Sequence, residues 1–378
     1  MKAVRERMRK SLTITAPAKP GAKTASSQSN LLEGHKEFRC MTEAQFAKLY
    51  KLKGQVMEST NTGMEVVFAT RLSDNLEVVI KVRDRSKSFK RGADEREWRA
   101  TTEVQLNMPK IETMCHFIDV FETKENYYVV MEKVEGRDLF EQMASERLRI
   151  NDAREILFQI LTAVKAMHDA GRIHKDLKLE NVMVDMDSSP RKVPPSPGSC
   201  TSSMASPGVK LIDFDTVQDW EPSSPKARDV LGTDGYIAPE AYGGEYSPSS
   251  DIYCIGVIMY KLLTRKFPSR ADIFDDQPGE NWVGSPAMKR IQERLKNEKI
   301  DFSRPPLNRC PAAADLVSKM LAYDPNVRYS ADDALRHEWF ALKPEDLSPT
   351  LEGSRTRGGS GSTMAGSTSS LPGTTPGR

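Results

Sequence analysis

Cysteine is scarce in this chain and shows no pairing pattern. Cys40, Cys115, Cys200, Cys254 and Cys310 are an odd set without a Cys-x-x-Cys pair, so neither a disulfide framework nor a zinc site is indicated, and a reducing compartment is the simple expectation. Long apolar runs are missing too. The longest, Ile252 to Leu263, is interrupted by Lys261 and falls short of the roughly 20 apolar residues that cross a bilayer, so it reads as a buried helix. No membrane span is expected, and no N-terminal myristoyl group, because Lys2 stands where the acylated Gly would be. Charge of one sign is not in excess: 55 Lys and Arg face 53 Asp and Glu, a net of +2.

That balance hides an uneven distribution. Residues 1–32 carry seven Lys or Arg and one acid, residues 343–378 carry four and three, and the part between is left near −5. A mildly acidic middle is compatible with basic peptide partners, although it is common among cytosolic proteins. Both ends are rich in Ser, Thr, Pro or Gly and poor in large apolar residues, so residues 1–43 and 343–378 are expected to be disordered tails that cannot offset the entropy of ordering. The acid-poor N-terminus also has the composition of an organelle transit peptide, beside the plainer reading of a tail on a cytoplasmic protein. Residues 1–30 contain no aromatic side chain, which leaves nothing to stack on bases, and no nucleic-acid partner is expected.

What the chain does have is a set of chemical motifs in a fixed order. His174-Lys175-Asp176-Leu177-Lys178-Leu179-Glu180-Asn181 sets a proton acceptor, a cation and an amide at fixed offsets before the apolar run Val182-Met183-Val184, a phosphoryl-transfer loop in outline. Alone it is also what a solvated turn leading into a strand looks like. Val209-Lys210-Leu211-Ile212-Asp213-Phe214-Asp215 then delivers a carboxylate at the end of an apolar strand, where a metal bridging a triphosphate needs a hard oxygen ligand. Gly232 to Glu240 ends in Ala-Pro-Glu, and upstream Val78-Val79-Ile80-Lys81 is a strand carrying a cation. Between these, Ile156, Leu157, Ile160, Leu161, Val164 and Met167 recur at helical spacing. Tyr127 to Met131 reads as a strand that runs into a bend at Gly136.

With these motifs in order, residues from about Phe46 to Phe340 resemble a eukaryotic-type serine/threonine protein kinase domain. Asp251 to Gly256 and Asp324 to Arg328 extend the likeness, and Ala334 to Phe340 is similar to the closing helix of the calcium/calmodulin-dependent group. The resemblance implies an α+β fold in two lobes. A small, mainly antiparallel β N-lobe with one regulatory helix would cover about residues 44–135, and a larger, mainly α-helical C-lobe about 136–342, with a Ser/Pro-rich insertion near 186–208. It further implies ATP and magnesium as cofactors and protein substrates with Ser or Thr acceptors. Asp176 would orient and deprotonate the hydroxyl, Lys178 would neutralise the moving phosphoryl group, and Thr233 would contact the catalytic loop. Asn181 and Asp213 would hold the metal, while Lys81 would grip the α- and β-phosphates with Glu103 as its helix partner, ahead of Glu95, Glu97 and Glu112. Glu132 and Val134 are the implied adenine contacts, Met131 guards the pocket behind them, and Asp138 reaches the ribose. Gly63, Val67, Met183 and Ile212 complete the nucleotide set. Glu180 and Asp138 stand where related kinases recognise an upstream Arg, and Arg328 would pair with Glu240 in a buried structural contact. No calcium-binding loop follows the kinase region, so an attached sensor of that kind is not expected.

Three departures qualify the likeness. The phosphate-covering loop, Glu58 to Val67, has only Gly63 where several glycines are usual, and Glu65 would be unfavourable if it faced the phosphates. Asp215 replaces the Gly that normally follows Asp-Phe, which restricts switching of this segment, adds a carboxylate beside the metal, or has no role. Lys175 stands in for Arg, with Asp229 as its expected partner and no activating phosphorylation required. The 32-residue step from Asn181 to Asp213 accommodates the insertion, whose Ser189-Pro190, Ser196-Pro197 and Ser206-Pro207 are of the type that proline-directed kinases modify; a tolerated surface loop is the bland alternative. An active kinase is the leading expectation, with a pseudokinase or scaffold that binds nucleotide as the alternative. Oligomeric state has no signal in the sequence.

Overall fold

Alternation of apolar and polar residues lays the first third of the chain down as strands. In the computed structural model, which describes residues 36–57, 62–145, 148–186, 196–198 and 207–343, six strands make one sheet. They are β1 (Arg39–Cys40), β2 (Tyr50–Met57), β3 (Met64–Arg71), β4 (Glu77–Asp84), β5 (Phe117–Glu122) and β6 (Asn126–Glu132), in the order β1-β5-β6-β4-β3-β2. Every neighbour pair is antiparallel except β1 with β5. Val67, Ala69, Val78 and Ile80 point to one apolar layer with Phe46, Tyr50, Phe121 and Tyr128, as the period of two requires. Helices α1 (Glu43–Phe46), α2 (Arg85–Ser88) and α3 (Gly92–Leu106) accompany the sheet.

The N-terminal boundary expected at residue 43 is too late. Lys36 Nζ donates to the carbonyls of Phe117 and Ile118 at 3.2 and 3.0 Å, Arg39 lies 4.4 Å above the Phe121 ring, and β1 pairs with the open edge of β5. A polar, charged stretch is recruited here by backbone groups and ring faces, which composition does not register. Residues 1–35 and 344–378, expected to be tails, lie outside the described residues.

After Gly136 the chain turns mainly helical. Gly136 has φ 98°, and a Cβ there would sit 2.2 Å from the carbonyl oxygen of Val184, so the bend requires glycine. There follow β7 (Arg137–Asp138), α4 (Leu139–Ser145), α5 (Ile150–Asp169), β8 (Arg172–Ile173), β9 (Val182–Asp185), β10 (Gly208–Leu211), β11 (Gln218–Asp219), α6 (Pro248–Thr264), α7 (Pro286–Asn297), α8 (Pro311–Met320) and α9 (Ala331–Leu335). The predicted apolar stripe of α5 is wholly buried. The run read as a buried helix is the interior of α6, whose Pro248 sits at the first turn, where a missing N–H is harmless. Two small sheets, β10-β9-β7 and β11-β8, hold the loop between them.

Residues 196–198, inside the insertion, are described and docked. Ser196 is 2% exposed; its hydroxyl and its N–H both donate to the Glu155 carboxylate on α5, and the Gly198 N–H donates to Phe340 O at 2.7 Å. The Ser189-Pro190 pair and Ser206 lie outside the described residues. Cys40, Cys115, Cys254 and Cys310 are free.

Candidate active site

The central strand β4 is flanked by β3 and β6, with Lys81 opposite Val66 and Val129, so its cation stands on a rigid base. Lys81 Nζ lies 2.6 Å from Asp213 Oδ1 and 2.8 Å from Asp215 Oδ1. Burial alone would lower its pKa, but the two carboxylates outweigh that and raise it above the ordinary lysine value. For Asp213 burial works upward, and Lys81, Lys178 and His174 together hold the carboxyl below its usual range. Asp213 has φ 63°, and the next side chain, Phe214, is 1% exposed, edge-on to Phe117 and tilted against His174.

The loop at 174–181 hangs from one carboxylate. Asp251, fully buried in the first turn of α6, accepts the N–H groups of His174 and Lys175 at 2.9 Å each and lies 3.0 Å from His168 Nε2. Sequence reasoning noted the segment starting at Asp251 without giving it this task; a carboxylate at the head of an apolar helix was the available signal. Below this anchor the functional groups close a triangle. Asp176 accepts from Thr233 Oγ1 at 2.8 Å and from Lys178 Nζ at 2.7 Å, and Lys178 Nζ is also 2.9 Å from Thr233 Oγ1. Burial pulls the Lys178 pKa down and Asp176 more than restores it, leaving it raised. Asn181 Nδ2 donates to the Asp176 carbonyl at 2.9 Å, which leaves its amide oxygen for another partner.

Asp213 and Asn181 offer hard oxygen donors of the kind magnesium takes, and the Asp213 side chain keeps 40% exposure in spite of its tie to Lys81. Among the described residues no cluster of three His, Cys, Asp or Glu could hold a metal by itself. A two-ligand site suits an ion that arrives with phosphates, so the residues present fit a magnesium nucleotide.

Of the other residues expected at the nucleotide, Val67 and Met131 are buried, and Val134, Met183 and Ile212 are partly so. The Glu132 N–H is spent on His116 O at 3.0 Å and its carboxylate on Lys210 at 2.8 Å. Asp138 accepts the Glu141 N–H at 2.7 Å. Gly63, with φ 74°, accepts the Asp84 N–H through its carbonyl. Residues 58–61 of the phosphate-covering loop lie outside the described residues, and Glu65 is exposed.

Two expected pairs are not formed. Glu103 is exposed on α3, whose inward face carries Thr102, Gln105 and Leu106; the rotation of the helix turns this carboxylate away from Lys81. Its rival Glu95 is held by Arg85 and the Tyr127 hydroxyl. Lys175 Nζ bonds to Gln218 Oε1 at 2.7 Å and not to Asp229, because its φ of 71° swings the side chain toward β11. The His116 ring meets Ile111 O at 2.9 Å.

Comparison with known proteins bears on the same residues. The protein kinase domain family matches residues 61–340. Calcium-dependent protein kinase 4 of Plasmodium berghei is 30% identical over 74% of this chain and 47% of its own length. Serine/threonine-protein kinase dkf-1 of Caenorhabditis elegans is 32% identical over 80% of this chain and 38% of its own. For CDPK-related kinase 5 of Arabidopsis thaliana the figures are 30%, 59% and 33%. The chain thus spans less than half the length of these relatives.

Proposed function

The chain belongs to the protein kinase family, and on that premise we propose that it transfers the γ-phosphoryl group of ATP to Ser or Thr hydroxyls of protein substrates. The hydrogen-bonded triangle of Asp176, Lys178 and Thr233 carries this reading. Asp176 orients the acceptor hydroxyl and takes its proton, Lys178 balances charge on the moving phosphoryl group, and Thr233 keeps Asp176 aimed. Lys81 binds the non-transferred phosphates, Val67, Met131, Met183 and Ile212 wall the base, and Glu132 and Val134 line the edge of its slot. Asn181 and Asp213 are the residues for magnesium, which when bound would neutralise phosphate charge.

An upstream-Arg preference belongs to the same reading. Glu180 Oε2 is buried without a hydrogen-bond partner among the described residues, a vacancy that a guanidinium would satisfy. Burial pushes the Lys261 pKa down to about 8 against the opposite pull of Glu180, and its ammonium donates to the Tyr236 hydroxyl at 2.9 Å. The second reading, a nucleotide-binding module that transfers little phosphate, is favoured by the hold of Asp215 on Lys81. Among the described residues no helix is long and apolar enough to cross a membrane, and a cytoplasmic site of action is part of the proposal.

Phosphate transfer from labelled ATP to a generic basic protein tests it, comparing the wild type with Asp176→Asn. The substitution should lower transfer by about 10²–10⁴-fold at unchanged folding. Equal silence of both proteins, with nucleotide still bound, would move the reading to the nucleotide-binding module. The same assay on a positional peptide library should favour Arg before the acceptor; a flat profile would remove that preference.

A further inference from the structure

A lysine that grips phosphate needs a carboxylate to hold it in place, and in this fold α3 does not supply one. Glu103 is exposed, Glu95 is engaged by Arg85 and Tyr127, and Glu97 lies in the field of Lys175 and Arg228. The second carboxylate at Lys81 comes from the far side of Phe214. Asp213 and Asp215 flank this side chain, which is 1% exposed among Phe117 and His174, so one buried wedge sets both acids. They emerge on the same side and take the same ammonium, at 2.6 and 2.8 Å. Arg83, two residues along β4 from Lys81, is partly buried and also feels the field of Asp215, so this acid faces a second cation.

The two carboxylates are not equivalent in use. Asp213 is the one committed to a metal ion in the reading above, on which this inference rests. An oxygen that coordinates a dication loses most of its attraction for an ammonium, so Lys81 would then depend on the other acid. We propose that Asp215 is a positioning residue that keeps Lys81 in the cleft while Asp213 is engaged, a task taken over from α3. The position of α3 would then matter less for nucleotide binding than the burial of Phe214.

The experiment measures the affinity of the full chain for mant-ADP with magnesium and, separately, in EDTA. Asp215→Asn should weaken binding about tenfold with magnesium and much less in EDTA, where Asp213 still holds Lys81, and Asp215→Glu should restore most of the loss. In turnover, Asp215→Asn should raise KM for ATP more than it lowers kcat. A purely structural role would weaken binding equally in both buffers and overturns the proposal, as does unchanged or tighter binding. A larger loss from Glu103→Gln than from Asp215→Asn returns the task to α3 and also overturns it. Binding is read without transfer, so a wild type that binds mant-ADP with this magnesium-dependent pattern yet phosphorylates nothing refutes the kinase reading and leaves the role of Asp215 standing.

Discussion

Lys175 shows how one buried amine links local backbone to stability. It is 9% exposed, has φ 71°, and donates to a neutral amide, Gln218, with the Tyr246 ring 5.5 Å away. Burial pushes its pKa down to about 8, against the opposite pull of Asp251 and Glu97. Between about pH 8 and 10.5 the unfolded chain keeps this proton and the folded chain has lost it, so stability attributable to Lys175 rises with pH in that window, and its cost is fully present below pH 8. Relative to Lys175→Met, the wild type should therefore gain about 3 kcal/mol of unfolding free energy from pH 8 to 10.5. Urea titrations of both proteins at pH 7.5 and 10 check this; parallel changes would mean that the amine is charged throughout.

At the scale of elements, the insertion is tied down at a point where sequence reads only a surface loop. Ser196 gives two hydrogen bonds to Glu155, and a Cβ on Gly198 would meet Leu342 O at 2.1 Å, so α5 and the end of the described chain close around these residues. Ser196→Ala removes one donor from a buried carboxylate and should cost about 1 kcal/mol. Ser196→Asp sets a second carboxylate against it and should cost about 1–3 kcal/mol more, read from denaturant midpoints. Equal midpoints for the two variants would show that the segment is not held by Glu155. The helix α3 gives the complementary lesson. Its existence was legible, but a rotation of about 100° decides whether Glu103 or Thr102 faces inward, and a 22-residue spacing from Lys81 does not set that phase.

Across the whole molecule, one buried ion pair joins parts of the chain 88 residues apart. Arg328 donates to both oxygens of Glu240 at 2.6 and 2.9 Å and also to the carbonyls of Ala322, Ser249 and Tyr323. The end of the Ala-Pro-Glu segment is thereby fastened to the region between α8 and α9. Arg328→Leu leaves the buried Glu240 without its counter-charge, with the Ser250 hydroxyl still donating to it at 2.9 Å, and should destabilise the protein by about 3–5 kcal/mol. Equilibrium unfolding measures it, and a loss below about 1 kcal/mol would mean that the pair contributes little beyond what it costs to bury.

The sequence alone settled what depends on neighbours along the chain. Asp176, Lys178 and Asn181 lie within six residues, so a single loop brings them together. The strand carrying Lys81, the stripe of α5 and the buried α6 follow from periods of two and 3.6 residues. Tertiary structure decided which distant groups meet: Asp215 and not Glu103 at Lys81, Gln218 and not Asp229 at Lys175, residues 36–43 on the sheet edge, Ser196 on Glu155. Such contacts turn on helix rotation and on where long loops close. Closure costs little more as loops lengthen, so neither spacing nor composition selects among partners, and the choice falls to the packed whole.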